Sequence, residues 1–250
     1  VVLYVRPQYD LWRTLYAQQA KSLQVAPDAA KWGTADFVSQ RHLDHALFFH
    51  RCLTKYANAF GRENVSGRRY DRRAFPDGDV ALDFMSYLCT DATGLKRTGN
   101  PSNLSLGWKG VALSLWMVGR LNLHQESVPA RENWRKAYRR TIRQISTETG
   151  DGDWLGKAVD VLTPEDKADI HRYYAKDNEL MFNEYFGGKI GFERPGEGGG
   201  DSVDYRDIPN AEFERACALL RLKGALCGLT DDQLAGLPSF GPAHLKPSLT

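Results

Sequence analysis

Arg6 and Thr14 stand eight positions apart near the start of the chain, and together they have the chemistry to hold a phosphate. A guanidinium fork matches phosphate oxygens, a hydroxyl adds a hydrogen bond, and the first turn of a helix offers unpaired N–H groups with partial positive charge. The surrounding pattern puts both residues where that combination works. Val1-Val2-Leu3-Tyr4-Val5 is an unbroken apolar run of the kind found in strands covered on both faces. Arg6 leaves the carboxyl end of that strand, where open α/β sheets bind ligands, and Thr14 falls two turns into the following helix. On these residues alone, the competing arrangement is a surface pair between Arg6 and Asp10 with Thr14 merely packing.

Other groups invite chemistry less strongly. His42, Asp44, His45 and His50 crowd one helix, but their spacing lacks H-E-x-x-H, so exposed helix histidines are expected rather than a metal site. The segment 131–146 carries Arg135, Lys136, Arg139, Arg140 and Arg143 opposite Trp134, Tyr138, Ile142 and Ile145. It reads as a solvated basic face, or as a track for an acidic glycan or membrane phospholipid. Nucleic acid is disfavoured, because no recognised fold or aromatic platform accompanies the charge. No G-x-x-x-x-G-K-[ST] occurs in the chain. The glycines of 187–201 follow no strand and have the wrong spacing for a dinucleotide site, so they read as a linker.

The elements that must position these residues are mostly helical. Helices are expected at 8–24, 43–60, 108–123, 131–146, 163–186 and 212–226, with Gly61 closing the second. Asp79 is expected to cap a short helix that turns Val80, Phe84 and Leu88 inward. Thr163, Pro164 and Asp166 form a good helix start. A second strand is expected at 64–70. One strand of the first kind needs more partners than the chain offers. With no initiator Met and an apolar run at residue 1, the sequence reads as a fragment whose remaining strands lie upstream.

Tyr4-Val5-Arg6-Pro7-Gln8-Tyr9-Asp10-Leu11-Trp12-Arg13-Thr14-Leu15-Tyr16 resembles the 3′-phosphate-binding strand and helix of sulfotransferases. Thr14 stands where that family usually has Ser. Phe60-Gly61-Arg62-Glu63-Asn64-Val65, Arg69-Tyr70-Asp71-Arg72, Gly78-Asp79-Val80 with Asp83-Phe84, and Asn100-Pro101-Ser102-Asn103-Leu104-Ser105 are similar to later blocks of its bacterial members. Leu121-Asn122, Asn178 and Phe192 extend the match to residue 192. The resemblance implies an α/β, P-loop-like sulfotransferase fold with a parallel sheet, largely helical in its visible C-terminal part. It implies a domain at 1–192 without its N-terminal strand-loop-helix, then a Gly-rich linker and helical tail at 193–250.

The resemblance also implies the chemistry. Arg6 and Thr14 would hold the 3′-phosphate of 3′-phosphoadenosine 5′-phosphosulfate (PAPS), and the loop bearing Lys96 and Arg97 would close over the nucleotide. The sulfuryl group would pass to a hydroxyl or amine acceptor, glycans among them, without a metal. The loop that grips the 5′-phosphosulfate and the general base precede this region in the family, so no catalytic residue is assigned. The alternative is a non-catalytic remnant that binds a nucleotide or anionic glycan.

Composition sets wider bounds. A formal net charge of +2 selects no acidic partner for the chain as a whole, and 42% hydrophobic with 26% charged residues is ordinary for a globular protein. Cys52, Cys89, Cys217 and Cys227 form no C-x-x-C pair and read as reduced thiols. With no apolar run long enough to span a bilayer and no visible signal peptide, a cytoplasmic location is expected, subject to whatever was lost with the N-terminus.

Overall fold

In the computed structural model, which describes residues 1–24, 46–88, 104–123, 125–188, 191–196 and 205–239, the opening run becomes strand β1, Val2–Val5. Helix α1, Gln8–Lys21, begins just beyond Pro7. The connection back to the sheet carries helix α2, Phe49–Phe60, and delivers strand β2, Ser66–Arg69, inside the expected segment. β1 and β2 pair in parallel, with Leu3 opposite Gly67 and Tyr4 opposite Arg68. Then come helices α3, Val80–Tyr87; α4, Trp108–Arg120; α5, Val128–Thr149; and α6, Pro164–Tyr173. They are followed by α7, Ala175–Tyr185; α8, Asn210–Leu226; and the short α9, Asp231–Leu234.

This architecture overturns the expected P-loop-like sulfotransferase fold. Such a fold sandwiches several parallel strands between helical layers. Among the described residues β1 has one partner, β2, and the rest is helix, turn or irregular chain. The physical reason lies in β2. Ser66-Gly67-Arg68-Arg69 carries no large apolar side chain, so it cannot sit as a central strand buried on both faces.

The chain groups into two compact units, one of Val1–Leu11, Thr34–Ser102 and Glu165–Gly196, the other of Trp12–Gly33, Asn103–Pro164 and Glu197–Thr250. In the first, one face of the strand pair is apolar. Leu3 and Val5 join a core of Phe49, Leu53, Val65, Met181, Phe182 and Phe192. Phe186 lies so close over Gly67 that a Cβ there would sit 2.5 Å from its ring. The other face is polar: Asp83 of α3 accepts from Tyr4 Oη at 2.6 Å and from Arg68 Nε and Nη2 at 2.9 and 2.6 Å. Asp79 does cap α3, through Ala81 N–H at 2.8 Å, but Phe84 and Leu88 are exposed and Asp83 is the residue turned inward.

Helix α2 has no local side-chain cap. Asp177 of α7 supplies one through space, accepting from the backbone N–H of His50 at 2.9 Å and of Arg51 at 3.4 Å. The helix expected over 163–186 is two helices, α6 and α7, separated at the fully buried Tyr174.

In the second unit α8 packs along α5, whose Trp134, Tyr138, Ile142 and Ile145 are all buried as the periodicity predicts. Tyr138 Oη donates to the Gly110 carbonyl at 2.7 Å, tying α5 to α4, and burial pushes its phenol far above the usual range. Ser114 Oγ donates to the Ala20 carbonyl at 2.6 Å, tying α4 to the end of α1. Gly107 precedes α4 where the backbone passes close by: a Cβ there would lie 2.1 Å from the Asp153 carbonyl oxygen. Backbone cannot yield as a flexible side chain does. Gly107→Ala should therefore cost about 2–3 kcal/mol, at the upper end for overpacking, measurable as a lower urea midpoint. No helix among the described residues is long and apolar enough to cross a membrane.

Candidate anion-binding site

Parallel strands end on the same edge, and at the carboxyl edge of β1 and β2 the sequence places cations. The Tyr70 N–H donates to the Val5 carbonyl at 2.7 Å, so the pairing persists to the last residue before Arg6. The Arg6 guanidinium then lies over the Tyr70 ring, 5.9 Å from its centroid. Arg72 Nε donates to Tyr70 Oη at 3.2 Å, which raises the pKa of the Arg72 guanidinium. Arg69, the last residue of β2, extends over the Phe192 ring at 6.0 Å. Phe75 meets both Tyr4 and Tyr70 edge to face, at 5.8 and 5.4 Å, and so steadies the ring on which Arg6 rests.

The nearby carboxylates are occupied within this frame. Asp71 binds Arg73 Nε and Nη2, both at 3.2 Å, and its own cap contact with Arg73 N–H is 3.0 Å. Those hydrogen bonds hold the Asp71 carboxyl below the ordinary range. Asp83 is committed to Arg68 and Tyr4, and its carboxyl is likewise depressed, first by the hydrogen bonds from Arg68. The edge thus presents Arg6 and Arg72 at one tyrosine ring, with Arg69 over Phe192 at the end of the same strand, cations suited to an anion with several acceptor oxygens.

Of the residues predicted from sequence, Arg6 is half-buried at this edge and Thr14 is exposed on α1. The boundary between the two units falls between them, after Leu11. Lys96 and Arg97 lie outside the described residues, as do His42, Asp44 and His45. His50 is an ordinary helix residue whose Nε2 lies 2.9 Å from Glu184 Oε2. Among the described residues no group of three or more His, Cys, Asp or Glu is placed to hold a metal.

Sequence reasoning missed what supports the site. Gln8, one residue into the helix after Arg6 and Pro7, is buried and exchanges amide hydrogen bonds with Asn178 of α7, at 2.7 and 3.0 Å. Gln8 Nε2 also reaches the Leu47 carbonyl at 3.2 Å. This lock fixes the start of α1 against α7, so the Arg6 backbone is held from both sides. Asn178 also lines an open cavity of about 320 Å³ with His171, Glu179, Phe182 and Phe192. Burial, aided by the charge of Arg194, lowers the His171 pKa. No local signal distinguishes Gln8 from a surface glutamine, because its partner is 170 positions away.

The second unit holds a buried charge cluster. Lys109 Nζ donates to Asp151 Oδ2 at 2.7 Å and Glu212 Oε2 at 2.8 Å, and Trp154 Nε1 donates to the same Glu212 oxygen at 3.1 Å. Burial opposes charge on both Lys109 and Asp151. Hydrogen bonds and attraction from Asp151 and Glu212 outweigh it for the amine and raise its pKa, and hydrogen bonds from Lys109 and the Asp153 N–H outweigh it for the carboxyl and lower its pKa. With Lys109 only 8% exposed and already paired with two carboxylates, the cluster is a structural tie rather than a site open to a ligand.

Comparison with known proteins supplies one relative. A protein of uncharacterised function from Archaeoglobus fulgidus is 27% identical over 221 residues, covering 86% of this chain and 54% of that protein. The chain therefore spans about half the length of the curated relative it matches. No family model and no solved structure matches the chain.

Proposed function

We propose that this chain binds the 3′-phosphate of 3′-phosphoadenosine 5′-phosphosulfate through Arg6, as part of a protein that transfers the sulfuryl group to a hydroxyl or amine acceptor. The observation that carries the reading is the position of Arg6, at the carboxyl end of a parallel strand pair and immediately before a helix. Ligands of α/β units collect at that edge, and a helix start adds N–H donors and positive potential there. The chain's resemblance to the sulfotransferase phosphate element then selects the ligand.

In this reading Arg6 positions the donor and stays away from the reacting atoms. The acceptor oxygen or nitrogen attacks sulfur, the bond from sulfur to the bridging phosphate oxygen breaks, and adenosine 3′,5′-bisphosphate leaves with that electron pair. The acceptor proton passes to a base that we assign to no residue of this chain. Holding the donor in line and offsetting its charge are the parts of catalysis an anchor can supply.

The test is discrimination by the 3′-phosphate. Adenosine 3′,5′-bisphosphate should bind at least about tenfold more tightly than adenosine 5′-phosphate, from a charged hydrogen-bond contribution of about 1.5–3 kcal/mol. Equal affinities by calorimetry would contradict the reading.

A further inference from the structure

We propose that the exposed face of helix α5 is a docking surface for an acidic polysaccharide. The helix carries Arg131, Arg135, Lys136, Arg139, Arg140 and Arg143 against two carboxylates, Glu132 and Glu148. Both carboxylates are already engaged. Glu132 pairs with Arg135 at 3.0 Å, and Glu148 pairs with Arg215 of α8. Lys136, Arg139, Arg140 and Arg143 are all exposed, and among the described residues no carboxylate pairs with any of them. Arg140 instead donates to Cys227 Sγ at 3.3 Å.

A fifth cation joins them from another element. Lys21, at the end of α1, donates to the Leu104 carbonyl at 3.2 Å. Partial burial lowers its pKa, and the charges of Arg139 and Arg143 lower it further. Like charges one helical turn apart repel one another. In a chain whose net charge is only +2, this concentration of cations is a local excess that a polyanion would relieve.

The shape of the patch selects the occupant. From Lys136 to Arg143 the cations advance about 10 Å along the helix, at about 1.5 Å per residue, as a row rather than a cradle. A row suits a polymer that repeats its charge. Membrane docking calls for apolar side chains exposed among the cations, but Tyr138 and Ile142, the apolar residues interleaved with them along α5, are spent on the unit's own core. Single-stranded nucleic acid requires aromatic platforms, and the cationic face of α5 has none. Carboxylate or sulfate groups on a polysaccharide need only guanidinium forks and ammonium groups. The surface lies entirely within the second unit and does not depend on the nucleotide assignment at Arg6.

The test uses heparin as the sulfated probe and hyaluronate as the carboxylated one. Neutral dextran, a thymidine oligonucleotide and phosphatidylserine vesicles serve as comparisons. The chain should bind heparin and hyaluronate, bind dextran not at all, and weaken with added salt. Arg139→Gln with Arg143→Gln should reduce polysaccharide affinity about tenfold. Lys157→Gln with Arg172→Gln, which removes the same charge from two exposed cations elsewhere, should leave it unchanged. Equal losses in the two double variants, no polysaccharide binding, or stronger binding to vesicles or oligonucleotide would each overturn the proposal. Adenosine 3′,5′-bisphosphate affinity measured on the same variants separates this surface from Arg6, since either can fail alone.

Discussion

Arg68→Met should destabilise the protein by about 3–4 kcal/mol at pH 7, more than Asp83→Ala, although both remove the same ion pair. The asymmetry follows from exposure. The Asp83 side chain is 6% exposed and the Arg68 side chain 34%. Removing Arg68 strands a buried carboxylate with only Tyr4 Oη, among the described residues, to donate to it, and breaking a buried pair from that side costs about 3–5 kcal/mol. Removing Asp83 leaves a guanidinium that water already reaches, so about 1–2 kcal/mol is expected. The double variant should recover part of the Arg68→Met loss, giving a coupling energy that a denaturation cycle can measure.

The pH dependence supplies a sign. The Asp83 carboxyl is depressed in the folded protein, so its contribution is present above the unfolded carboxylate value of about 4 and is lost as pH falls through the depressed value. The gap between wild type and Arg68→Met should therefore narrow below about pH 4. A gap that stayed constant down to pH 3 would show that the charge of Asp83 contributes nothing. Tyr4 belongs to the same triad: burial first, then Asp83, pushes its phenol up to about 12.

Lys109→Met should cost about 3 kcal/mol at neutral pH by leaving Asp151 and Glu212 facing each other without their shared cation. The figure sits at the low end for a broken buried pair, because the two carboxylate side chains remain 28% and 35% exposed. In the native cluster, the raised Lys109 pKa means its contribution holds below the unfolded lysine value of about 10.4 and is lost as pH rises through the higher folded one. Asp151 acts in the opposite direction, with stability lost as pH falls through its lowered value. In Lys109→Met, acid should therefore relieve the defect rather than deepen it, because protonation removes the repulsion. Thermal unfolding of the variant at pH 4 and pH 7 checks this: a larger deficit relative to wild type at pH 4 would refute the role given to the lysine.

The local grammar of the chain was legible where its cause is local. The β-branched opening run, Asp79 as a cap, Gly61 as a stop and the apolar face of α5 all depend on a few neighbouring residues, and all appear where expected. What failed depended on distant partners. Phe84 and Leu88 were expected inward on their hydrophobicity, but α3 is oriented by the pairing of Asp83 with Arg68 and Tyr4, which composition alone undervalues. Tyr174 interrupts a continuous helical pattern, and its ring packs against Phe48 and Tyr173 at centroid distances of 5.0 and 4.9 Å. The sheet was overextended for a similar reason. Short blocks of family resemblance do not specify a whole scaffold, and among the described residues β2, with its glycine and two arginines, pairs only with β1.

The site was legible in the same proportion. Arg6 is singled out in the sequence by its type and its place after a strand, while Tyr70, on which it rests, and Arg72, which binds that tyrosine, come just after a second strand more than sixty positions later. The Gln8–Asn178 lock could not be anticipated, since neither amide sits in a pattern that singles it out. The basic row on α5 was visible as charge. Only the occupation of Glu132 and Glu148 by other arginines shows that the row is left without neutralising carboxylates among the described residues.

The most direct measurement is calorimetric titration of adenosine 3′,5′-bisphosphate into wild type, Arg6→Ala and Arg172→Ala. Arg6→Ala should lose about 1.5–3 kcal/mol of binding free energy, roughly ten- to a hundredfold in affinity, with folding unchanged. Arg172→Ala, which removes an exposed arginine paired with Asp169, should bind as wild type does. Equal affinity in wild type and Arg6→Ala would contradict the assignment of a phosphate anchor to the carboxyl edge of the strand pair.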